Sequence, residues 1–425
     1  MESKKVDTLI IGAGITGLSF ASFFDIDDYL IVERDSEVGG YCKTTTRNGF
    51  VWDYSGHFFH FNDPEIKNYL LENMECEVIT VAKKSHIYYK DRLIDFPFQN
   101  NIHQLPLDEF IECLFDLRHI GNNEIITFTD FIKDKLGKSI CDKFILPYNE
   151  KLYSCNLNSL DHDAMGRFFP NPLDFDSLLL QLKNNHRMDS YNDTFIYPVN
   201  GSFEFVKSLL KRVNSNNILL NTEIIHIDTV NKIAKTNNGT IKFNKLINTM
   251  PFDSLLKITG QKSPNLSSNK VVVFNLGFDQ PTDIRSNWIY YPGDEIFYRV
   301  GFYNNIFDTD KMSLYVEVGM ERYQKINEQD LLKCVLADLS KVGITGTHNL
   351  TDHQMIIMNP AYVHITKESK EIYNSWNEKN NPTGIFSIGR YGGWTYCSIE
   401  DNIIQAKNLF SSCFSLNLNI PGNKF

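Results

Sequence analysis

Apolar residues recur along this chain in two rhythms. Short, nearly unbroken runs, Leu9-Ile10-Ile11 and Leu30-Ile31-Val32, flank a helix-length stretch and predict two strands joined through a helix. Between about 105 and 181 the spacing changes to three and four residues, which predicts helices over 108–120, over 130–136 with a stop at Gly137, and over 139–152. A further helix is expected over 203–212. Beyond it, 218–227 reads as a strand, Asn237-Asn238-Gly239 as a hairpin turn and 245–251 as another short buried strand. Alternation in 271–276 and 313–318 predicts an antiparallel sheet across 270–318. The last pattern, 384–394, is a strand and a glycine turn that lead into a helix over 398–410.

Chemistry first enters at the turn after the opening strand, Gly12-Ala13-Gly14-Ile15-Thr16-Gly17. Gly12 permits a tight turn, Gly14 lets the backbone approach a pyrophosphate at a helix N-terminus, and Gly17 lets that helix pack closely on the strand. Glu33 ends the second strand, where a carboxylate accepts bonds from ribose hydroxyls. The chain is therefore expected to bind a dinucleotide. After the acid, Arg34-Asp35-Ser36-Glu37-Val38-Gly39-Gly40-Tyr41 resembles the second signature of FAD-binding proteins, so FAD is expected over NAD.

Composition narrows the class. With 425 residues, 42% hydrophobic and 13% aromatic, the chain has material for a large core and two or three domains. Lys and Arg number 42 against 52 Asp and Glu, a net charge of -10, so there is no overall basic field to gather nucleic acid, and any anionic ligand must be held by local arginines. The eight cysteines show no CxxC pair and no metal-ligand spacing; reduced thiols in a cytoplasmic protein without a metal site are expected. No apolar run approaches the roughly 18 residues of a membrane span, so no integral membrane segment is expected.

Four further stretches carry a resemblance to the UDP-galactopyranose mutase family of flavoenzymes, within the wider amine oxidase and protoporphyrinogen oxidase superfamily. Asn48-Gly49-Phe50-Val51-Trp52-Asp53-Tyr54-Ser55-Gly56-His57 is similar to the Gly-Gly-His loop beside the flavin, with Ser55 in place of the first glycine. Pro147-Tyr148-Asn149-Glu150-Lys151-Leu152-Tyr153 resembles a helical motif whose asparagine and later aromatic face the nucleotide sugar, and Met165-Gly166-Arg167 falls near a diphosphate-binding arginine. Tyr298-Arg299-Val300 and Asn359-Pro360-Ala361-Tyr362 resemble the segments that bring an arginine and a tyrosine to the diphosphate. Gly389-Arg390-Tyr391-Gly392-Gly393-Trp394-Thr395-Tyr396 is similar to the mutase form of the C-terminal FAD motif.

The resemblance implies an α/β protein: a Rossmann-like FAD-binding domain (1–65, 196–265 and 384–425), an interleaved helical insertion (100–190) and an antiparallel β-sheet substrate domain (66–99 and 266–383). It implies a cytoplasmic isomerase that interconverts pyranose and furanose forms of a nucleoside-diphosphate sugar, UDP-galactose by default, through a sugar adduct on flavin N5, for cell-surface polysaccharide biosynthesis. The FAD must be reduced, by NAD(P)H or another external reductant. A homo-oligomer is left open. His57 and Arg299 are the expected catalytic residues. Gly12, Gly14, Thr16, Gly17, Glu33, Arg34, Gly39, Gly40, Tyr41, Ser55, Gly56, His57, Ile224, Gly389, Arg390, Trp394 and Asn402 are expected at the cofactor. Asn149, Tyr153, Arg167, Arg299, Tyr362 and Tyr396 are expected at the substrate. By residue type alone, His57 also reads as a structural histidine, Arg167 as a solvated arginine, Arg299 as an ion pair on a sheet surface and Asn402 as a helix-surface amide. The alternative activity is an FAD-dependent oxidase of the amine oxidase or protoporphyrinogen oxidase type, whose site would be an apolar cavity or aromatic cage.

Overall fold

The computed structural model describes residues 2–23, 28–121, 124–166, 169, 175–184, 194–261 and 265–413. The opening apolar run is strand Glu2–Ile11, at the centre of a seven-stranded sheet. Parallel to it run Tyr29–Val32 on one side and Gly239–Asn248 on the other. The hairpin expected at Asn237-Asn238-Gly239 joins Ile233–Thr236 to Gly239–Asn248, and where the hairpin leaves that edge Ile385–Ser387 replaces it, in parallel. Four of the parallel strands thus finish together, at Ile11, Val32, Asn248 and Ser387. A crevice beyond the carboxyl ends of parallel strands is where such a sheet takes a ligand.

The run 218–227 is not one strand. Ile218–Leu219 pairs with Tyr29–Val32, then the chain turns at Asn221, φ +51°, and resumes as Ile224–Asp228. The turn is fixed where Asn221 N–H donates to the Asp35 carbonyl at 3.0 Å and Thr222 N–H to that of Glu33 at 2.9 Å. This crossing carries Thr222 and Ile224 over the end of the second strand.

A second seven-stranded sheet holds Leu350–Met358, Asn269–Phe278, Ser313–Glu321, Arg299–Phe302, Trp288–Tyr290, Ser85–Tyr89 and Arg92–Asp95 in that order. It is antiparallel as expected, except that Trp288–Tyr290 runs parallel to Ser85–Tyr89. All ten residues of Asn269–Phe278 are buried, because both faces of the sheet are covered. Helix Glu328–Lys341 closes one face with Leu331, Val335 and Leu339. The helices of the insertion close the other through an aromatic layer that includes Phe98, Phe144 and Tyr298.

In the insertion, Leu107–Leu117 and Phe128–Leu136 form as expected, the second opened by a Thr127/Asp130 capping box and stopped at Gly137, φ +77°. The helix expected over 139–152 is broken. A π turn occupies Cys141–Ile145 before helix Leu146–Tyr153. Pro147 has no N–H to give to the carbonyl four residues back, so α-geometry is interrupted at that point. No helix among the described residues is long and apolar enough to cross a membrane.

Candidate functional site

One cavity of about 1180 Å³ runs from the glycine turn of the first sheet to the face of the second. At its outer end, Gly12 takes φ +98°, and a Cβ there would lie 2.5 Å from Thr249 Oγ1; Thr249 donates that hydroxyl to the Ile11 carbonyl at 2.7 Å. A Cβ on Gly17 would lie 2.0 Å from the Gly12 carbonyl oxygen, so helix Ile15–Ser22 can seat against the turn only with glycine there. Gly14 differs. It is the N-cap of that helix, it lines the cavity, and a Cβ on it would meet nothing closer than Gly40 Cα at 3.9 Å. Gly39 N–H donates to the Ala13 carbonyl at 2.8 Å, which lays the glycine pair beside the turn. Glu33 accepts from the N–H groups of Ala13 (2.8 Å) and Asp35 (2.9 Å), one on each carboxylate oxygen.

The C-terminal glycine turn is tied to the same helix. A Cβ on Gly389, φ +85°, would lie 2.4 Å from Thr16 Oγ1. Asn402 Oδ1 accepts from that hydroxyl at 2.7 Å and from the Arg390 N–H at 2.8 Å, so this amide is a buried clamp rather than a helix-surface group.

The inner end is formed by Tyr290, Tyr298, Arg299, Glu317, Tyr362, Arg390, Tyr396 and the loop Ser55-Gly56-His57. Arg299 and Glu317 stand opposite each other on neighbouring antiparallel strands and form a two-pronged ion pair, Nε to Oε2 and Nη2 to Oε1, both 2.7 Å. The pair lies on the cavity wall, with the Glu317 side chain 1% and that of Arg299 17% exposed, not on a solvated sheet surface. Arg390 has a different setting. Its guanidinium donates to the carbonyls of Cys397 (3.1 Å) and Ala361 (3.3 Å) and lies 4.8 Å from the Tyr396 ring centre and 5.0 Å from that of Tyr362. Among the described residues it pairs with no carboxylate, so its charge is not neutralised.

His57 Nδ1 lies 3.1 Å from the Ser55 carbonyl, which can only accept, so Nδ1 carries the proton and Nε2 is left as an acceptor. Burial pushes the imidazole down to about 4; the Ser55 carbonyl and Glu317 oppose the shift, and Arg390 and Arg299 add to it. The ring is neutral at pH 7.

Of the residues expected at a cofactor or substrate, Gly12, Gly14, Thr16, Glu33, Arg34, Gly39, Gly40, Tyr41, Ser55, Gly56, His57, Ile224, Arg299, Tyr362, Arg390, Tyr396 and Asn402 line this one cavity. Gly17 and Gly389 lie directly behind it. Trp394, φ +46°, lines a second cavity on the far side of the glycine turn, with Gly393 and Thr395. Asn149 and Tyr153 share a helix face as expected but are not among the described lining residues. The Asn149 amide donates to the Ile145 carbonyl at 2.7 Å, and the Tyr153 ring packs 5.8 Å from that of Tyr362, one layer back. Arg167 lies outside the described residues. Sequence reasoning missed Glu317, the one acid inside the otherwise buried apolar run Leu314-Tyr315-Val316-Glu317-Val318, and Lys83 and Glu400, which also line the cavity.

The family described as NAD(P)-binding Rossmann-like domain matches residues 10–72. The corticosteroid-binding protein of Candida albicans (strain SC5314 / ATCC MYA-2876) is 32% identical over 100 residues, and the match spans 21% of this chain and 20% of that protein. Among solved structures, a putrescine oxidase with bound putrescine superposes with TM-score 0.63 at 14% identity, covering 97% of this chain and 100% of that one. A structure from Exiguobacterium sp. 255-15, assigned as a protoporphyrinogen oxidase, reaches TM-score 0.74 at 17% identity, covering 97% and 99%. Reduced UDP-galactopyranose mutase reaches TM-score 0.89 at 22% identity, covering 97% of this chain and 94% of that one. Two interleaved sheets, a Rossmann-like glycine turn and the elements that carry Arg299 and Arg390 thus give this chain the fold of UDP-galactopyranose mutase.

Proposed function

We propose that the chain is an FAD-dependent mutase that interconverts the pyranose and furanose forms of a nucleoside-diphosphate sugar of the UDP-galactose kind. The observation that carries this reading is the charge of the inner wall. Two guanidinium groups, Arg299 and Arg390, stand against one carboxylate, Glu317, which leaves one net positive charge among tyrosines. That wall attracts a diphosphate and repels the protonated amine that an amine oxidase must admit.

The outer end fits a dinucleotide cofactor. The space beside Gly14 is one that a Cβ would fill, at the start of a helix whose first N–H groups lack intrahelical partners. Glu33 keeps a lone pair on each oxygen for ribose hydroxyls. Thr16, Asn402 and Arg390 lock the C-terminal turn to this cradle. When bound and reduced, the flavin supplies a nucleophilic ring nitrogen to the anomeric carbon.

The protein's part is then orientation and leaving-group electrostatics. Arg390 supplies the uncompensated charge to the departing diphosphate, and Arg299 offers the N–H groups that Glu317 does not use. Tyr362 and Tyr396, whose rings flank Arg390, bring phenol O–H groups that can donate hydrogen bonds to the same oxygens. His57 presents Nε2 as an acceptor for a sugar hydroxyl. A cytoplasmic place in cell-surface polysaccharide synthesis, with NAD(P)H as reductant, accords with this reading. The test is to incubate the dithionite-reduced, FAD-loaded protein with a panel of sugar nucleotides and look for furanose products by chromatography. Furanose formation supports the assignment; amine oxidation with none moves it to the oxidases.

A further inference from the structure

The loop Ser55-Gly56-His57 connects two parts of the cavity wall carried by different elements. Ser55 is buried, and its hydroxyl and its carbonyl serve different partners. The hydroxyl donates to Oε1 of Glu317, and the carbonyl accepts from Nδ1 of His57. The same Glu317 oxygen accepts from Arg299 Nη2 at 2.7 Å. A continuous line of hydrogen bonds therefore runs from the imidazole through Ser55 and Glu317 to the guanidinium. Gly56 meets the sheet differently: a Cβ there would lie 2.4 Å from the Tyr315 phenol oxygen, which is buried and has no hydrogen-bond partner among the described residues. Contact through Gly56 is thus steric, and the polar tether of the loop to the sheet is the Ser55 hydroxyl. Glycine at position 55 would have no such group.

We propose that Ser55 is a positioning residue that holds the imidazole of His57 and the guanidinium of Arg299 as one unit, so that the acceptor offered to the sugar and the cation offered to the diphosphate are oriented together. What those two groups contact rests on the mutase reading; that they are held together does not. A carboxylate that accepts from both a hydroxyl and a guanidinium has its rotation fixed by the pair, and the hydroxyl in turn fixes the carbonyl that selects the His57 tautomer. Removing the hydroxyl frees both ends at once.

The test uses the FAD-loaded chain with 15N-labelled histidine, and UDP as the binding probe. In the parent protein the His57 ring nitrogens report one neutral tautomer, protonated at Nδ1. Ser55→Ala gives a mixture of tautomers and weakens UDP binding roughly tenfold, the loss expected when one charged hydrogen bond no longer holds its partners in place. Ser55→Thr keeps the hydroxyl and restores both. Ser55→Ala with a single unchanged tautomer and UDP affinity within about twofold of the parent overturns the proposal, as does a threonine variant that falls as far as the alanine one. If the ring nitrogens and UDP affinity behave as stated but the reduced parent makes no furanose, the mutase reading fails and the positioning role stands.

Discussion

Gly14 and Gly17 are three residues apart, and their substitution separates clearance for a ligand from clearance for the fold. Gly14 has φ -80° and ψ -176°, a conformation open to any residue, and a Cβ on it touches only Gly40 Cα at 3.9 Å. Replacing it by alanine gains about 0.4–1 kcal/mol through the unfolded chain and loses a similar amount, about 0.5–1 kcal/mol, as a poorer N-cap, so the cofactor-free protein should melt within about 1 °C of the parent. With the pyrophosphate seated against the Gly14 backbone, the added methyl moves it outward by about 1.5 Å, beyond the reach of hydrogen bonds from the first turn. Losing two charge-assisted bonds at about 1.5–3 kcal/mol each weakens FAD binding by about 3–6 kcal/mol, a factor of about 140 to 20,000. Gly17→Ala instead drives a Cβ to 2.0 Å from the Gly12 carbonyl oxygen and 3.3 Å from Ile10 Cγ2. Backbone cannot yield there, so the cofactor-free protein itself should be destabilised. Thermal unfolding without cofactor and FAD titration by flavin fluorescence read the two effects separately. A Gly14→Ala protein that binds FAD within about threefold of the parent, or a Gly17→Ala protein as stable as the parent, refutes the assignment of these glycines.

Other consequences follow from the inner wall. Glu317→Gln leaves the part-buried Arg299 charge without its counter-ion, a loss of up to about 3–5 kcal/mol and up to about 3–6 °C in melting temperature for a chain of this size, measured by calorimetry; the double substitution Arg299→Met with Glu317→Leu should recover most of the stability but not UDP binding. His57, pushed down to about 4 in the fold and near 6.5 when unfolded, binds more protons in the unfolded chain between those values, so stability falls as pH drops through that window; the His57→Asn protein should lose less, and a proton NMR titration of His57 near 6.5 would contradict the assigned burial effect. Asn402→Ala strips the acceptor from the Thr16 hydroxyl and the Arg390 N–H, so the purified protein should carry less flavin by absorbance, while Asn402→Asp, which keeps an acceptor, should retain more.

What was legible in the sequence follows how local each constraint is. The glycine turn was legible because Gly12 and Gly17 answer to atoms of their own strand-turn-helix unit and of the strand beside it. The run at 218–227 misled because its crossing is set by bonds to Asp35 and Glu33, far away along the chain. Glu317 escaped notice for the same reason: strand register, not spacing along the chain, puts it opposite Arg299. The pairing of Asn149 with Tyr153 on one helix face was readable from a spacing of four, but which way that face turns is decided by the π turn before it and by packing against Tyr362. For Asn402 the residue type leaves a cofactor-site amide and a helix-surface amide equally open, and the choice is made by the return of the last helix to Thr16, which buries it.

The central claim is isomerisation at a reduced flavin without net redox, and the most direct measurement is stoichiometry. The FAD-loaded protein is reduced anaerobically with one equivalent of dithionite, mixed with excess UDP-galactopyranose, and the furanose product is counted against reducing equivalents spent. Many furanose molecules per equivalent, with the flavin still reduced at the end and no turnover by the oxidised protein, is the expected result. No furanose from the reduced protein, or turnover by the oxidised protein in air with one hydrogen peroxide per product, would contradict it.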